Sequence, residues 1–425
     1  MSEKTVDIAI VGGGMVGATL ALALAQYTKF SIAVIEVQPL TAAAPQEQSN
    51  HYDERTVALS EGSKRFLAAL SLWDLLAAHA APITTVHVSA QGQFGATRIH
   101  AADENVPALG YVVPNRAYGA AVAQLIKKNN SVIQWRAPAR VQALQLHTDD
   151  IVLQLDAAGV NNILRARLVI AADGSESSIR EQLQLPIESL DYQQTAIIAN
   201  LSLSRAHHGQ AFERFTAQGP IALLPLRALP QQASRAALVW TLPTSIATDM
   251  LALSDAEFCQ RLQVEFGWRL GRIQHAGVRQ AYPLHRQQLL QRRVDRLVFI
   301  GNAAQTVHPV AGQGLNLALR DVMQLVEQLS QQDTDAGNAT LLQHFVDACE
   351  ADRQTTLAVT HGLIKGFVAL PAPLTQMRAL GLGVLSMLPF LKQPLTRRMM
   401  GMGAAMSPLL RDHIQDSLQN KQPAP

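Results

Sequence analysis

Val6–Gly17 reads VDIAIVGGGMVG, and this stretch decides the fold. A β-branched run, Val6–Val11, is the pattern of a buried strand. The turn Gly12–Gly17 follows, then Met15–Gln26, rich in Ala and Leu, as a helix, and Ser31–Val37 as a second strand. That order is a βαβ unit. Within it Gly12, Gly14 and Gly17 satisfy G-x-G-x-x-G. The first glycine permits a tight turn, the second lets backbone approach a pyrophosphate, and the third lets helix and strand pack closely. The helix N-terminus offers N–H groups and positive dipole to phosphate. Glu36, about 20 residues on, is placed to accept hydrogen bonds from a ribose diol and would repel a 2′-phosphate. The turn therefore predicts FAD or NAD, and by itself does not choose between them.

A second glycine turn makes the choice. Gly301-Asn302-Ala303-Ala304 follows the strand Leu297–Ile300 and runs into His308-Pro309-Val310-Ala311-Gly312-Gln313-Gly314-Leu315-Asn316, which opens the helix Leu315–Leu329. Two such turns nearly 300 residues apart imply a ligand too long for one, and FAD is such a ligand. The second helix would aim its N–H groups at the pyrimidine edge of the flavin, where charge gathers on reduction. Ala172-Asp173-Gly174, with Ser177 and Arg180, follows the strand Leu164–Ala171, although Asp-Gly after a strand is also a common turn. Arg55 and Arg116 each precede or open a helix and present a fork of donors suited to phosphate.

The remainder bounds the function. The chain has 425 residues, 48% hydrophobic and 16% charged, with a net charge of +2, which suits a globular protein of two or three cores. No basic arm points to nucleic acid. Cys259 and Cys349 stand alone, with no metal-ligand spacing, so neither a metal site nor a disulfide frame is expected. No apolar run reaches the length of a membrane span. A cytoplasmic protein is expected, with peripheral contact at the inner membrane as an option. Thr56–Ala78 reads as helix, Arg116–Lys128 as helix, and Thr195–Leu203, Phe212–Phe215, Ile221–Pro225 and Ala236–Leu242 as a strand cluster apart from the βαβ unit. Everything beyond Leu341 reads as helix. Residues 353–411 hold seven basic residues and no acid, a pattern suited to an anionic lipid surface or to an interface.

The three motifs in this order, with a strand-rich insert, resemble the flavoprotein aromatic hydroxylases of the para-hydroxybenzoate hydroxylase fold. Within that group the chain is most similar to the ubiquinone-biosynthesis hydroxylases of the 2-polyprenyl-6-methoxyphenol hydroxylase type. The carrying stretches are Asp53–Ser60 (DERTVALS), Ala81–Ser89 (APITTVHVS), Ala211–Pro225 (AFERFTAQGPIALLP), Phe266–Tyr282 (FGWRLGRIQHAGVRQAY) and Gly301–Val322 (GNAAQTVHPVAGQGLNLALRDV). Asn302 and Gln305 stand where the wider family has aspartate and histidine.

The resemblance implies an α/β fold: a discontinuous FAD-binding Rossmann-like domain (1–80, 108–185, 280–350), an inserted β-sheet substrate domain (81–107, 186–279) and a C-terminal helical region (351–425). It implies that Gly12, Gly14, Gly17 and Glu36 meet adenosine, that Arg55 and Arg116 reach the pyrophosphate and ribityl, and that Asn302 takes the ribityl chain. Asp173 and Gly174 would touch the linker and the nicotinamide approach. Gly312, Gly314, Leu315 and Asn316 would lie along the isoalloxazine. NAD(P)H would reduce FAD, O₂ would give a flavin hydroperoxide, and a polyprenyl phenol would be hydroxylated para to its hydroxyl. No residue emerges as a catalytic acid or base; His308, beside Pro309, could relay a proton or simply pack. Phe212, Leu223, Pro225 and Trp240 are candidate walls of the substrate pocket and are equally explained as core. The alternatives are hydroxylation of another aromatic substrate, a reductase on the same fold, or a flavin-stabilised, non-catalytic member of a biosynthetic complex.

Overall fold

The structure is a computed structural model that describes residues 4–40, 55–92, 96–229, 234–306, 312–331, 334–368, 393 and 396–402, with side chains of the last helix to residue 354. Lys4–Val11 is the central strand of an eight-stranded sheet. Its Ile8, Ala9 and Ile10 are fully buried, as expected of a parallel strand covered on both faces. Ile32–Ile35 pairs parallel to it on one side and Val160–Ala171 on the other. Leu297–Phe299 pairs parallel to Val160–Ala171. The strands that carry the three motifs are thus adjacent, in the order Leu297–Phe299, Val160–Ala171, Lys4–Val11. Their carboxyl ends open on one edge of the sheet, where ligands of such folds bind.

A nine-stranded sheet forms the second layer. Its order is Gln305–Thr306, Gln280–Leu289, Ile187–Leu203, Arg235–Pro243, Pro220–Leu226, Gln210–Phe215, Thr85–Ala90, Ala96–His100, with Ile273–Ala276 beside Ile187–Leu203. Pairing is antiparallel except between Gln210–Phe215 and Thr85–Ala90. One face packs on the helices Thr244–Ala252 and Asp255–Phe266 through Phe212, Leu223, Trp240, Phe258 and Leu262. The second helix is held at its start by a capping box in which Ser254 and Glu257 exchange hydrogen bonds. The other face of the sheet looks toward the motif edge of the first.

Two expectations change. Thr56–Ala78 is not one helix. Thr56–Ser60 is a strand paired with Gly110–Pro114, which in turn pairs with Ala81–Ile83. The helix Glu61–Ala69 begins only after Ser60, whose hydroxyl accepts from the Ser63 N–H at 3.2 Å. Thr56 and Val57 are β-branched and favour the extended chain, and the Ala- and Leu-rich stretch behind them hides that start. The boundary expected at residue 280 also moves. Gln280–Leu289 runs along Ile187–Leu203 from Ile198↔Gln280 to Ile187↔Leu289, so the nine-stranded sheet extends to Leu289. Its residues are mostly half-exposed or exposed, which blurs the apolar alternation that marks a strand.

Candidate FAD and substrate site

The first turn is built by contact distances. Gly12 has φ +101°, and a Cβ there would lie 2.5 Å from the Ala172 carbonyl oxygen, so the first and third motifs touch through backbone. A Cβ on Gly17 would lie 1.9 Å from the Gly12 carbonyl oxygen. At Gly14 the same construction meets nothing within 4 Å. The outer two glycines are thus required by packing, and the middle one faces open space that a phosphate can fill. The Glu36 carboxylate accepts from the Gly13 N–H at 2.6 Å and from the Gln38 N–H at 2.8 Å, which fixes it beside the turn.

The second turn is locked to the third motif. The Arg180 guanidinium donates to the Ala303 carbonyl at 3.1 Å and to the Ser175 carbonyl at 2.5 Å. Gly301 takes φ +59°, and Asn302 beside it is exposed. Asp173 accepts through Oδ2 from the Ile179 N–H and the Ser178 hydroxyl, each at 3.3 Å. Its Oδ1 is buried and has no partner among the described residues. Gly312, at φ +59°, caps the helix Gln313–Ser330.

The Asn316 side chain is spent within the protein. Its Oδ1 accepts from the Ser60 N–H and the Ser63 hydroxyl, each at 2.8 Å, and its Nδ2 donates to the Ala58 and Gly312 carbonyls, each at 2.9 Å. Four bonds use the whole capacity of an amide, and the residue is 2% exposed. It clamps the strand Thr56–Ser60 to the start of the helix. Arg55 is exposed and Arg116 half-buried. The Asn115 N–H donates to the Arg55 carbonyl at 2.9 Å, which brings the two arginines to one strand end; neither lines the cavity described next. His308 and Pro309 lie outside the described residues.

One cavity of about 740 Å³ joins these parts. Gly14, Met15, Gly174, Gly301, Asn302, Gly312, Gly314 and Leu315 line one side. Val86, Val88, Ala211, Glu213, Ala222, Leu224 and Val239, from the nine-stranded sheet, line the other. Thr396, Met399 and Met400 also line it. The alternation of the strands decides which side chains enter: Ala211, Glu213 and Phe215 face the cavity, while Arg214 points away and donates to the Glu265 carbonyl. This corrects the expected walls. Leu223 and Trp240 pack into the core beneath the two helices, and Pro225 is not part of the lining. Phe212 borders the cavity, but its ring stands edge-on to Phe266, centroids 5.6 Å apart, in that same core.

Glu213 and the Met399–Met400 segment are lining residues that sequence reasoning missed. Burial pushes the Glu213 carboxyl up to about 7, and the exposure that it retains is to the cavity. The segment is tied in by the Gly62 N–H, which donates to the Met400 carbonyl at 2.8 Å, and by an ion pair of 2.9 Å between Arg397 and the buried Glu104.

The residues fit FAD: the open space at Gly14 and the exposed Asn302 border a single continuous cavity that reaches both turns, and the buried acceptor Asp173 Oδ1 stands between the lining residues Ala172 and Gly174. Residues 5–359 match the FAD binding domain family. The chain is 35% identical over 407 residues to a ubiquinone hydroxylase of Rhodospirillum rubrum, with 94% of this chain and 90% of the relative covered. It is 32% identical over 330 residues to the 3-demethoxyubiquinol 3-hydroxylase of Escherichia coli, with 77% and 81% covered. The crystal structure of p-nitrophenol 4-monooxygenase from Pseudomonas putida superposes with a TM-score of 0.73 at 16% identity, covering 95% of this chain and all of that one. The chain therefore belongs to the FAD binding domain family, as one of its FAD-dependent monooxygenases related to the hydroxylases of ubiquinone biosynthesis.

Proposed function

We propose that the enzyme hydroxylates a polyprenylated methoxyphenol para to its hydroxyl. The observation that carries this reading is the apolar sheet face, Val86, Val88, Ala222, Leu224 and Val239, opposite the flavin-side turns. FAD reduced by NAD(P)H supplies activated oxygen at this site when bound. The protein does the rest. Gly14 leaves room for the pyrophosphate, and Asp173 and Asn302 offer acceptors along the cofactor. The start of the helix Gln313–Ser330 faces the cavity, where its positive end favours negative charge on the reduced ring. The apolar wall and the Met399–Met400 segment keep water from the reacting atoms.

A small aromatic acid suits the cavity poorly. Its carboxylate would need a cationic partner, whereas Glu213 is the one ionisable side chain among the described lining residues. Aerobic turnover with 2-prenyl-6-methoxyphenol and NAD(P)H, with the product identified by mass and ring position, tests the proposal. A para-hydroxylated product supports it, and FAD-bound enzyme that oxidises NAD(P)H without hydroxylating any such phenol counts against it.

The expected lipid docking of residues 353–411 receives a narrower reading. Arg353 is 4% exposed and pairs with Glu350, Arg397 pairs with Glu104, and Arg398 pairs with Asp352 at 3.6 Å. These three arginines serve internal ion pairs. No helix among the described residues is long and apolar enough to cross a membrane. Peripheral contact at a membrane and membership of a biosynthetic complex are proposed beside this reading. Flotation with liposomes of graded anionic content tests the lipid contact, and protein that stays in the soluble fraction at low salt argues against it.

A further inference from the structure

Glu213 has no role in what has been described so far. It sits within the strand Gln210–Phe215, beside Val88 on one neighbouring strand and Ala222 on the other. Ala211 and Phe215 flank it on the same face. No partner for its carboxyl is found among the described residues. The charged groups of the adjoining strands are turned away. Arg214 is tied to the Glu265 carbonyl on the helix side. His87, pulled down to about 4 by burial and by Arg269 and Arg98, lies on that side with its ring 5.5 Å from that of Phe212. Arg98 is absent from the cavity lining, whereas its neighbours Thr97 and Ile99 are part of it. Asn302, Thr306, Gln313 and Thr396 also line the cavity, and none of them titrates. A carboxyl set in an apolar wall weakens the fold, and packing gives no reason for it.

Building on the phenol reading above, we infer that Glu213 receives the substrate's hydroxyl: a phenol in the cavity donates its O–H to the Glu213 carboxylate, which takes the proton as the ring is oxygenated. The phenol O–H bond breaks and an O–H bond to Glu213 forms. The electron pair left on the phenol oxygen moves into the ring toward the para carbon, where the monooxygenase reaction adds its oxygen. When that carbon releases its hydrogen to solvent as a proton and the C–H electron pair makes the ring aromatic again, Glu213 returns its own proton to the first oxygen. A carboxyl titrating near pH 7 suits a group that must both accept and release a proton. It also sets selectivity, admitting a neutral phenol and repelling a carboxylated one.

The test uses FAD-loaded wild type and Glu213→Gln with 2-prenyl-6-methoxyphenol and ring-fluorinated analogues of lower hydroxyl pKa. Hydroxylated product is counted across pH, and bound FAD is measured in parallel. Wild-type kcat/KM should rise with pH through a limb near 7, and Glu213→Gln should lose that limb and about 100-fold of the rate at pH 8. The wild-type to variant ratio should shrink as the phenol becomes more acidic, because such a phenol ionises unaided. Fluorine's effect on the ring itself cancels in that ratio. Glu213→Asp should restore part of the limb. An intact limb in Glu213→Gln, or a ratio indifferent to phenol acidity, overturns the inference while leaving the hydroxylase reading in place. Failure of FAD-bound wild type to hydroxylate any of the phenols overturns that reading, and the inference with it.

Discussion

Replacing Asn316 with leucine separates a structural clamp from a flavin contact. The side chain satisfies the Ser60 N–H, the Ser63 hydroxyl and the carbonyls of Ala58 and Gly312. Leucine has similar bulk and answers none of them. Ser63 can turn toward Ser60, whose hydroxyl lies 3.1 Å away, and the Gly312 carbonyl, at the N-cap, keeps the first backbone bond of the helix; the Ser60 N–H and the Ala58 carbonyl are left without a partner. At about 1–3 kcal/mol for each of the two buried groups so abandoned, the loss is about 2–6 kcal/mol, a large part of the stability of a typical domain. The assay is denaturant unfolding of both the FAD-free and the FAD-loaded protein. A clamp predicts the same large loss in both forms, because none of the four partners belongs to the cofactor. If the FAD-free variant unfolds with the wild type and only the stabilisation by FAD is lost, Asn316 is a cofactor contact and the reasoning fails.

Other substitutions test neighbouring parts of the account. Gly14→Val should yield folded protein without flavin, since nothing lies within 4 Å of a Cβ there; a yellow Gly14→Val protein would contradict the placement of the pyrophosphate. Gly17→Ala should instead disrupt the turn itself, with a Cβ 1.9 Å from the Gly12 carbonyl oxygen, and thermal melting of the FAD-free protein should show it. Glu213→Gln should make the protein more stable in a pH-dependent way. The Glu213 carboxyl moves from its ordinary value of 4.5 to about 7 on folding. Below pH 4.5 it is protonated in both states and has no effect. From pH 4.5 to 7 the folded state keeps a proton that the unfolded chain gives up, so the carboxyl costs stability progressively, reaching about 3 kcal/mol above pH 7 at about 1.4 kcal/mol per pH unit. Unfolding of wild type and variant from pH 5 to 8 should show that gap opening, and a gap constant with pH would refute the burial of the carboxyl. Arg397→Ala should loosen the Met399–Met400 wall by leaving the Glu104 carboxylate, 2% exposed, without its cation. Limited proteolysis should detect the change, and a double-mutant cycle with Glu104→Gln should give a coupling near 1 kcal/mol.

The cofactor side of the site was legible because its chemistry is written in backbone. Gly12, Gly14 and Gly17 are dictated by close approaches and open space that any residue with a Cβ would alter, so they show in one sequence. The sheet side was harder. AFERF at 211–215 alternates in register, but which alternate set meets the cavity depends on where the helices Thr244–Ala252 and Asp255–Phe266 pack, and that is a tertiary fact. Aromatic and large residues such as Trp240 were the natural candidates for a pocket wall, and they went instead to the helix-covered face, which buries more apolar area. Asn316 follows a glycine-rich run where a ligand contact is the obvious reading; its partners at Ala58, Ser60 and Ser63 are about 250 residues away and cannot be inferred from spacing. The basic C-terminal stretch looked like a lipid surface because Glu104, Glu350 and Asp352, which pair with its arginines, lie outside the stretch that was counted.

On the proposed reading, this cavity delivers oxygen from O₂ to the ring of a neutral phenol held against the flavin site. The most direct measurement is turnover of 2-prenyl-6-methoxyphenol under ¹⁸O₂ in ordinary water, with mass spectrometry of the product. The expected product is a quinol carrying one labelled oxygen, para to the original hydroxyl. A product with oxygen from water, or label released only as hydrogen peroxide with the phenol unchanged, would contradict it.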